Sequence, residues 1–308
     1  MLPLPPLLNR LRPLLAEHAR PVYLVGGVVR DALLGRVNHD VDLIVAANAI
    51  ELTFDLARRL GLPAYRLDEE RDVGRILVPG SGMTLDIARF RGDTLADDLR
   101  ARDFTINALA LPAAAQTAEA VIDQHAGLAD LAAGRIRIIH DGSIADDPVR
   151  ALRATRFAVQ LGFALTAETV AAVRAAGPAL TSRTSPERMR DELSRLLLTD
   201  DPARAIALLR DYDLLGHALP EVAALAGVAQ SPPHHEAVLE HTYSVLRYLA
   251  AVESIAVGRL TDDEWSTAVA AILSPYQSQL TAHLDTMLDG GFDSRLLLRW
   301  GALLHDSG

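Results

Sequence analysis

Leu24-Val-Gly-Gly-Val-Val-Arg-Asp-Ala-Leu-Leu-Gly-Arg36, followed by Asp40-Val-Asp-Leu-Ile-Val45, is the stretch on which the reading of this chain turns. An apolar strand, a Gly26-Gly27 turn and a helix leave backbone N–H groups where a polyphosphate could approach without Cβ interference. Alternate residues of a strand share a face, so Asp40 and Asp42 project together. Two such carboxylates form a natural seat for divalent ions, and hard Mg²⁺ suits oxygen ligands better than zinc does. Taken singly, the glycines could be only a tight turn and Asp40 a loop cap.

Further strands are expected at Val22–Val25 and at residues 41–45, 75–78, 84–88 and 135–139. Ala49–Leu60 reads as a helix stopped by Gly61, which has no Cβ to hinder the C-terminal turn. From about Asp147 the strand signal disappears. Residues 148–161, 186–198 and 202–211 then repeat apolar positions at helical spacing, each with proline near the first turn. Pro220 and Gln230-Ser-Pro-Pro-His234 mark a boundary, and a second helical block begins near His235. The pattern predicts an α+β protein: a head with a small mixed sheet, then all-α segments. The end at Leu303-Leu-His-Asp-Ser-Gly308, directly after an amphipathic run, suggests a natural chain that continues further.

Composition narrows the chemistry. The chain has 308 residues, half of them hydrophobic, enough for two or three modules with a real core. It has no cysteine, which removes disulfides, thiolate zinc sites and thiol nucleophiles. It has no lysine either, which excludes a P-loop and Schiff-base chemistry. Any phosphate clamp must therefore use arginine, backbone amides or metal. The net charge of −10 argues weakly against nucleic-acid binding, although arginines placed along one path would suffice. No apolar run is long enough to span a bilayer and the N-terminus lacks a signal-peptide pattern, so a cytoplasmic protein is expected.

Two more stretches carry chemistry. One is Leu99-Arg-Ala-Arg-Asp-Phe-Thr-Ile-Asn-Ala-Leu109. The other is Ile144-Ala-Asp-Asp-Pro-Val-Arg-Ala-Leu-Arg-Ala-Thr-Arg-Phe157, in which Arg150, Arg153 and Arg156 fall along one helix side. Asp147 precedes them at the helix start, where the macrodipole favours an acid. A carboxylate accepts from an amino group and a guanidinium donates to ring nitrogen and carbonyl oxygen, so the pair can match the Watson–Crick edge of a base. The plainer alternative is a solvated helix face laced with ion pairs.

Together these stretches resemble the motifs of the class II tRNA nucleotidyltransferase and poly(A) polymerase family. The resemblance covers residues 24–198 strongly and the remainder in part. It implies a nucleotidyltransferase head over residues 1–140, a helical neck and body over 141–230, and a partial HD-like helical domain over 231–308. It also implies that Asp40 and Asp42 bind the catalytic Mg²⁺ ions, with Gly26, Gly27 and Arg30 against the incoming nucleotide. Asp103 would read the ribose hydroxyl, supported by Arg102 and Asn107. Ala101 replaces an arginine usual in that motif. Asp147 and Arg150 would select CTP and ATP, and Arg153 would meet the triphosphate with Arg156 beside it. Asp146 stands where the family usually has glutamate. Thr184-Ser-Pro-Glu-Arg-Met-Arg-Asp-Glu-Leu-Ser-Arg-Leu-Leu197 resembles the helix that closes the family's neck, with a structural role.

The implied activity is template-independent transfer of CMP, with AMP as the second candidate, to the 3′ end of tRNA. Only residues 89–98 separate the strand at 84–88 from the second motif, too few for the flexible loop of enzymes that complete CCA. The resemblance therefore favours CC-addition. Poly(A) polymerase, an HD phosphohydrolase with a degenerate head, and a non-catalytic RNA-binding module remain alternatives. His241, His305 and Asp306 resemble part of the HD metal site, with Mn²⁺, Ni²⁺ or Mg²⁺ as candidate ions.

Overall fold

The computed structural model describes residues 1–38, 40–229, 235–259, 262–288 and 292–307. The expected boundary at residues 230–234 lies outside the described residues. The chain divides into two compact units, Met1–Ser143 and Ile144–Gly308.

The first unit runs α1 (Leu7–Ala16), β1 (Val22–Val25), α2 (Gly27–Leu33), β2 (Asp40–Val45), α3 (Ala49–Leu60), β3 (Ala64–Asp68), β4 (Val73–Val78) and β5 (Met83–Arg89). It continues with α4 (Leu95–Arg100), β6 (Leu109–Pro112), β7 (Ile122–Asp123), α5 (Gly127–Ala132) and β8 (Arg135–Ile136). Seven strands form one mixed sheet in the order β3-β4-β5-β2-β1-β6-β7. β2 and β5 run parallel, and every other pairing in that sheet is antiparallel. The expected strand at 135–139 is shorter than anticipated: only Arg135 and Ile136 are extended as β8, and Ile138 makes an isolated bridge to Phe104.

Strand alternation gives the sheet two different faces. Leu24 of β1, Val41, Leu43 and Val45 of β2, Ile76 of β4, and Leu85 and Ile87 of β5 share one core with Leu8 and Leu11 of α1 and Leu52 and Leu56 of α3. α3 lies so close to the sheet that a Cβ on Gly74 would fall 2.5 Å from Thr53 Oγ1, itself buried. The residues between these core positions therefore face away from α1 and α3. On β2 they are Asp40, Asp42 and Ile44, and Ile44 joins a second cluster with Val25, Phe90 and Leu99.

The second unit is helical, apart from a two-residue strand at Ala164–Leu165 among its described residues. After α6 (Ser143–Asp146), which begins on the last residue of the first unit, its helices are α7 (Val149–Leu161), α8 (Ala167–Ala175), α9 (Gly177–Arg183), α10 (Pro186–Leu197), α11 (Pro202–Asp211), α12 (Leu215–Ala218) and α13 (Pro220–Ala223), then α14 (Val238–Ala256), α15 (Glu264–Leu273), α16 (Gln277–Leu284) and α17 (Ser294–Leu304). The prolines begin helices as their fixed φ favours, at the first position of α10 and α11 and just before α7. Packing of α7 on α10 and α11, and of α14 on α11 and α17, builds the core. No described helix is long and apolar enough to cross a membrane.

Arg299 of α17 is buried and ties three segments together. It donates from Nε (2.9 Å) and Nη2 (2.6 Å) to Glu253 Oε2 on α14, and from Nη1 to the carbonyls of Leu197 and Thr199 (2.8 Å to the latter). Removing one partner of a buried pair leaves an uncompensated charge. Glu253→Ala should therefore cost about 3–5 kcal/mol in chemical denaturation. A loss below about 1 kcal/mol, the scale of an exposed pair, would contradict this account.

Candidate active site

Asp40 and Asp42 stand on the face of β2 opposite the α1/α3 core. Asp40 accepts from the Thr84 hydroxyl of β5 at 3.0 Å, and its own N–H donates to Asn38 Oδ1 at 2.8 Å. Gly26 has φ +70° and ψ −135°, a conformation that glycine adopts readily and other residues resist. A Cβ there would lie 3.2 Å from Arg102 Nη1 and 3.6 Å from Asp42 Oδ2. The glycine turn, the second carboxylate and the arginine of the second motif thus converge on one spot.

Burial pushes the Asp42 carboxyl up to about 6, with Asp86 and Asp40 adding to the rise and Arg102 and Arg91 opposing it. Asp86 is an acid that the sequence reading passed over. It sits in register with Asp42 across the parallel β2–β5 pair and accepts both Nε (2.6 Å) and Nη2 (2.7 Å) of Arg75. The available signal was an acid between Leu85 and Ile87, inside an otherwise apolar strand. Three carboxylates near one face, one destabilised in its charged form, make a hard oxygen donor set whose repulsion a divalent cation would relieve. The residues present fit Mg²⁺.

The other expected head residues form a buried relay. Asn38 Nδ2 donates to Asp31 Oδ2 (2.5 Å), and Arg30 Nε donates to Asp31 Oδ1 (2.8 Å). Arg30 Nη1 donates to Asn107 Oδ1 (2.8 Å), and Asn107 Nδ2 donates to Asp103 Oδ1 (2.9 Å). The same Asp103 oxygen accepts the Phe104 N–H at 2.8 Å. Arg30 is thereby a link between the glycine-turn helix and the second motif, with its guanidinium buried. Arg102 donates from Nε and Nη2 to the buried Asp98 at 3.0 and 2.8 Å, which fixes it beside Gly26. Gly27 lies next to Asn38 and Arg30, where a Cβ would come 3.1 Å from Asn38 Nδ2.

In the second unit, Asp147 and Arg150 flank the start of α7, with Arg150 Nε 3.8 Å from Asp147 Oδ2. Arg153 and Arg156 turn toward α10: their Nε atoms donate to Glu192 Oε1 (3.1 Å) and Oε2 (3.0 Å). Arg156 also donates to Gln160 at 3.0 Å and lies over the Phe157 ring. Burial alone would raise the Glu192 carboxyl, but Arg156 and Arg153 outweigh it and hold the group below its ordinary value. Sequence reasoning placed these two arginines on one helix side with Arg150 but could not see the acid that engages them.

His241 of α14 and the His305-Asp306 pair after α17 come together, with one ligand atom from each lying within 4.8 Å of the others. His305 Nε2 is 3.1 Å from Asp306 Oδ2, and His305 Nδ1 lies 2.8 Å from the Ala302 carbonyl. A proton on Nδ1, donated to that carbonyl, leaves Nε2 as the ligand atom.

Comparison with known proteins gives the same family as the motifs. Residues 22–137 match the poly A polymerase head domain, and residues 162–225 match the family described as a probable RNA and SrmB-binding site of polymerase A. The CC-adding tRNA nucleotidyltransferase of Geobacter sulfurreducens is 41% identical over 196 residues, 63% of this chain and 44% of that protein. The A-adding tRNA nucleotidyltransferase of Deinococcus radiodurans is 34% identical over 306 residues, 97% of this chain and 59% of its own length. The chain thus spans about half the length of these two curated relatives. A solved CCA-adding enzyme with CTP superposes with TM-score 0.66 at 26% identity, covering 97% of this chain and 79% of that one. Residues 22–137 thus belong to the poly A polymerase head-domain family, and over most of its length the chain is similar to tRNA nucleotidyltransferases.

Proposed function

We propose that this protein transfers CMP from CTP to the 3′ end of tRNA, releasing pyrophosphate, and that it adds the two cytidines in preference to completing CCA. The observation that carries the reading is the convergence of Gly26, Asp42 and Arg102 beside Asp40 on the open face of β2. Relatives that add CC, A or the whole CCA support the class of reaction, and the short connection between β5 and α4 supports CC-addition.

In this reading Asp40 and Asp42 hold the divalent ions. When bound there, the ions supply activation of the attacking hydroxyl and neutralisation of the leaving group. The RNA 3′ oxygen attacks the α-phosphorus in line as its proton passes to solvent, and the bond from that phosphorus to the α–β bridging oxygen breaks, so that pyrophosphate leaves. The cysteine- and lysine-free chain contributes positioning and charge, with no covalent intermediate. Gly26 and Gly27 keep Cβ atoms out of the triphosphate's path. Asp103, oriented by Asn107 and the Phe104 N–H, accepts the ribose hydroxyl, and Arg102 supports the sugar-phosphate. Asp147 and Arg150 read the base. Arg153 and Arg156 fix α7 on α10 through Glu192, and so hold Arg150 in place.

Incubation with Mg²⁺ and a tRNA lacking its CCA end, offered CTP, ATP or both, tests the specificity by sequencing the products. Growth by two cytidines that stalls with ATP present is expected. A completed CCA end would overturn the CC preference, and a long adenosine tail would move the activity to poly(A) synthesis. Asp42→Ala should abolish incorporation while leaving the circular dichroism spectrum unchanged, and normal turnover in that variant would reject the assignment.

The raised Asp42 value sets a pH dependence. The folded chain holds this proton more tightly than the unfolded chain does. The metal-free protein therefore loses stability as pH rises from the ordinary carboxylate range through about 6. Metal binding needs the ionised form, so it strengthens over the same window. Below pH 6, Mn²⁺ affinity measured by calorimetry should rise about tenfold per pH unit, then level off. A flat profile in wild type, with Asp42→Asn indistinguishable from it, would contradict this.

A specific observation favours a second metal centre at His241, His305 and Asp306, namely their ligand atoms within 4.8 Å. Imidazole donors suit Ni²⁺ better than the all-carboxylate set does. Ni²⁺ should raise the thermal midpoint of wild type but not of a His241→Ala/His305→Ala variant. Equal shifts in both would remove the second site.

A further inference from the structure

Asp147 does not stand alone before α7. Its Oδ2 accepts from Arg188 Nη2 of α10 at 2.7 Å, closer than Arg150 approaches the same oxygen. Its Oδ1 is buried and has no hydrogen-bond partner. A buried acceptor left unpaired is costly, and a donor arriving from a ligand would satisfy it. A second strut comes from the same region: Arg183 at the end of α9 donates from Nη1 to the Ala145 carbonyl at 2.8 Å. The backbone of Arg188 is itself fixed, because its N–H donates to the hydroxyl of Ser185, the N-cap of α10. The connection between α9 and α10 thus grips residues 145–147 at two points.

We propose that Arg188 is a positioning residue for base selection, holding Asp147 so that Oδ1 is presented to a base edge bearing an amino group. The proposal rests on the base-reading role of Asp147 given above. Cytosine and adenine carry an exocyclic amino donor that a fixed carboxylate oxygen can accept. Uracil and guanine place a carbonyl oxygen at the equivalent position and would meet repulsion. With one oxygen engaged by Arg188, the carboxylate cannot rotate to relieve that repulsion. Discrimination then depends on a residue that never touches the nucleotide. The Arg188 side chain is half-exposed, and an exposed ion pair contributes little to folding, so its loss should alter selection without unfolding the helices.

The test compares kcat/KM for CTP and UTP on a tRNA lacking its CCA end, with Mg²⁺, in wild type, R188A, R188K, D147A and the R188A/D147A double variant. The CTP-to-UTP ratio should fall about tenfold or more in R188A, the scale expected for a charge-assisted hydrogen bond. The thermal midpoint should stay unchanged, and R188K should recover part of the ratio. The double variant should be no less selective than D147A, because both changes remove one device. If D147A loses selectivity while R188A keeps it, the positioning role is overturned and the base-reading role survives. If D147A keeps selectivity, base reading by Asp147 fails, and the proposal fails with it. Should R188A lower the thermal midpoint, R188Q, which retains the stem and a donor, reads the same ratio. An unchanged ratio there and in R188K, with R188A no less selective per folded molecule, would also overturn the proposal.

Discussion

Everything in the head depends on the alternation of a single strand. Val41, Leu43 and Val45 must face the core shared with α1 and α3, because burying those side chains drives the packing of the layer. That requirement forces Asp40 and Asp42 onto the opposite face together. A slip of one residue would bury two carboxylates among leucines, at a cost comparable to the stability of a whole domain. The hydrophobic core thus sets the geometry of the acids, and the turn beside them needs glycine because Gly26 has φ +70° and a Cβ there would press on Arg102 at 3.2 Å.

A second dependence runs through buried polar links. Arg30 connects the helix after the glycine turn to Asn107, and Asn107 orients Asp103. Glu192 gathers Arg153 and Arg156, with Arg195 at 3.5 Å. These links join residues distant in sequence and hold side chains in one arrangement, the kind of support that positions reactive groups without touching a substrate. Arg153, expected to meet the triphosphate, and Arg156 beside it both engage Glu192 on α10.

What was legible in the sequence was local. The Gly26-Gly27 turn, the Asp40/Asp42 pair, α3 ending at Gly61, and α7, α10 and α11 with their prolines follow from spacing and backbone preference within a few residues. β6 went unread because Leu109-Ala-Leu-Pro112 is short and half alanine or proline, although it pairs with β1 one strand in from the sheet's edge. β3 is a largely exposed strand whose Tyr-Arg-Leu-Asp run lacks an apolar face. Asp86 was invisible as a neighbour of Asp42 because no sequence rule announces that β5 lies parallel to β2 and in that register. Glu192 and Arg188 were invisible as partners for the same reason: about forty residues separate them from the arginines and the aspartate they meet. His241, His305 and Asp306 stood out by residue type, and it took the packing of α14 on α17 to bring them together.

The central claim is that the face of β2 carrying Asp40 and Asp42 is a divalent-cation seat. Crystals of the protein grown with Mn²⁺ and measured at the manganese absorption edge test it most directly. The account predicts an anomalous peak within coordination distance of both Asp40 and Asp42 carboxylates, lost in Asp42→Ala. Manganese found only at His241, His305 and Asp306, with none on β2, would contradict it.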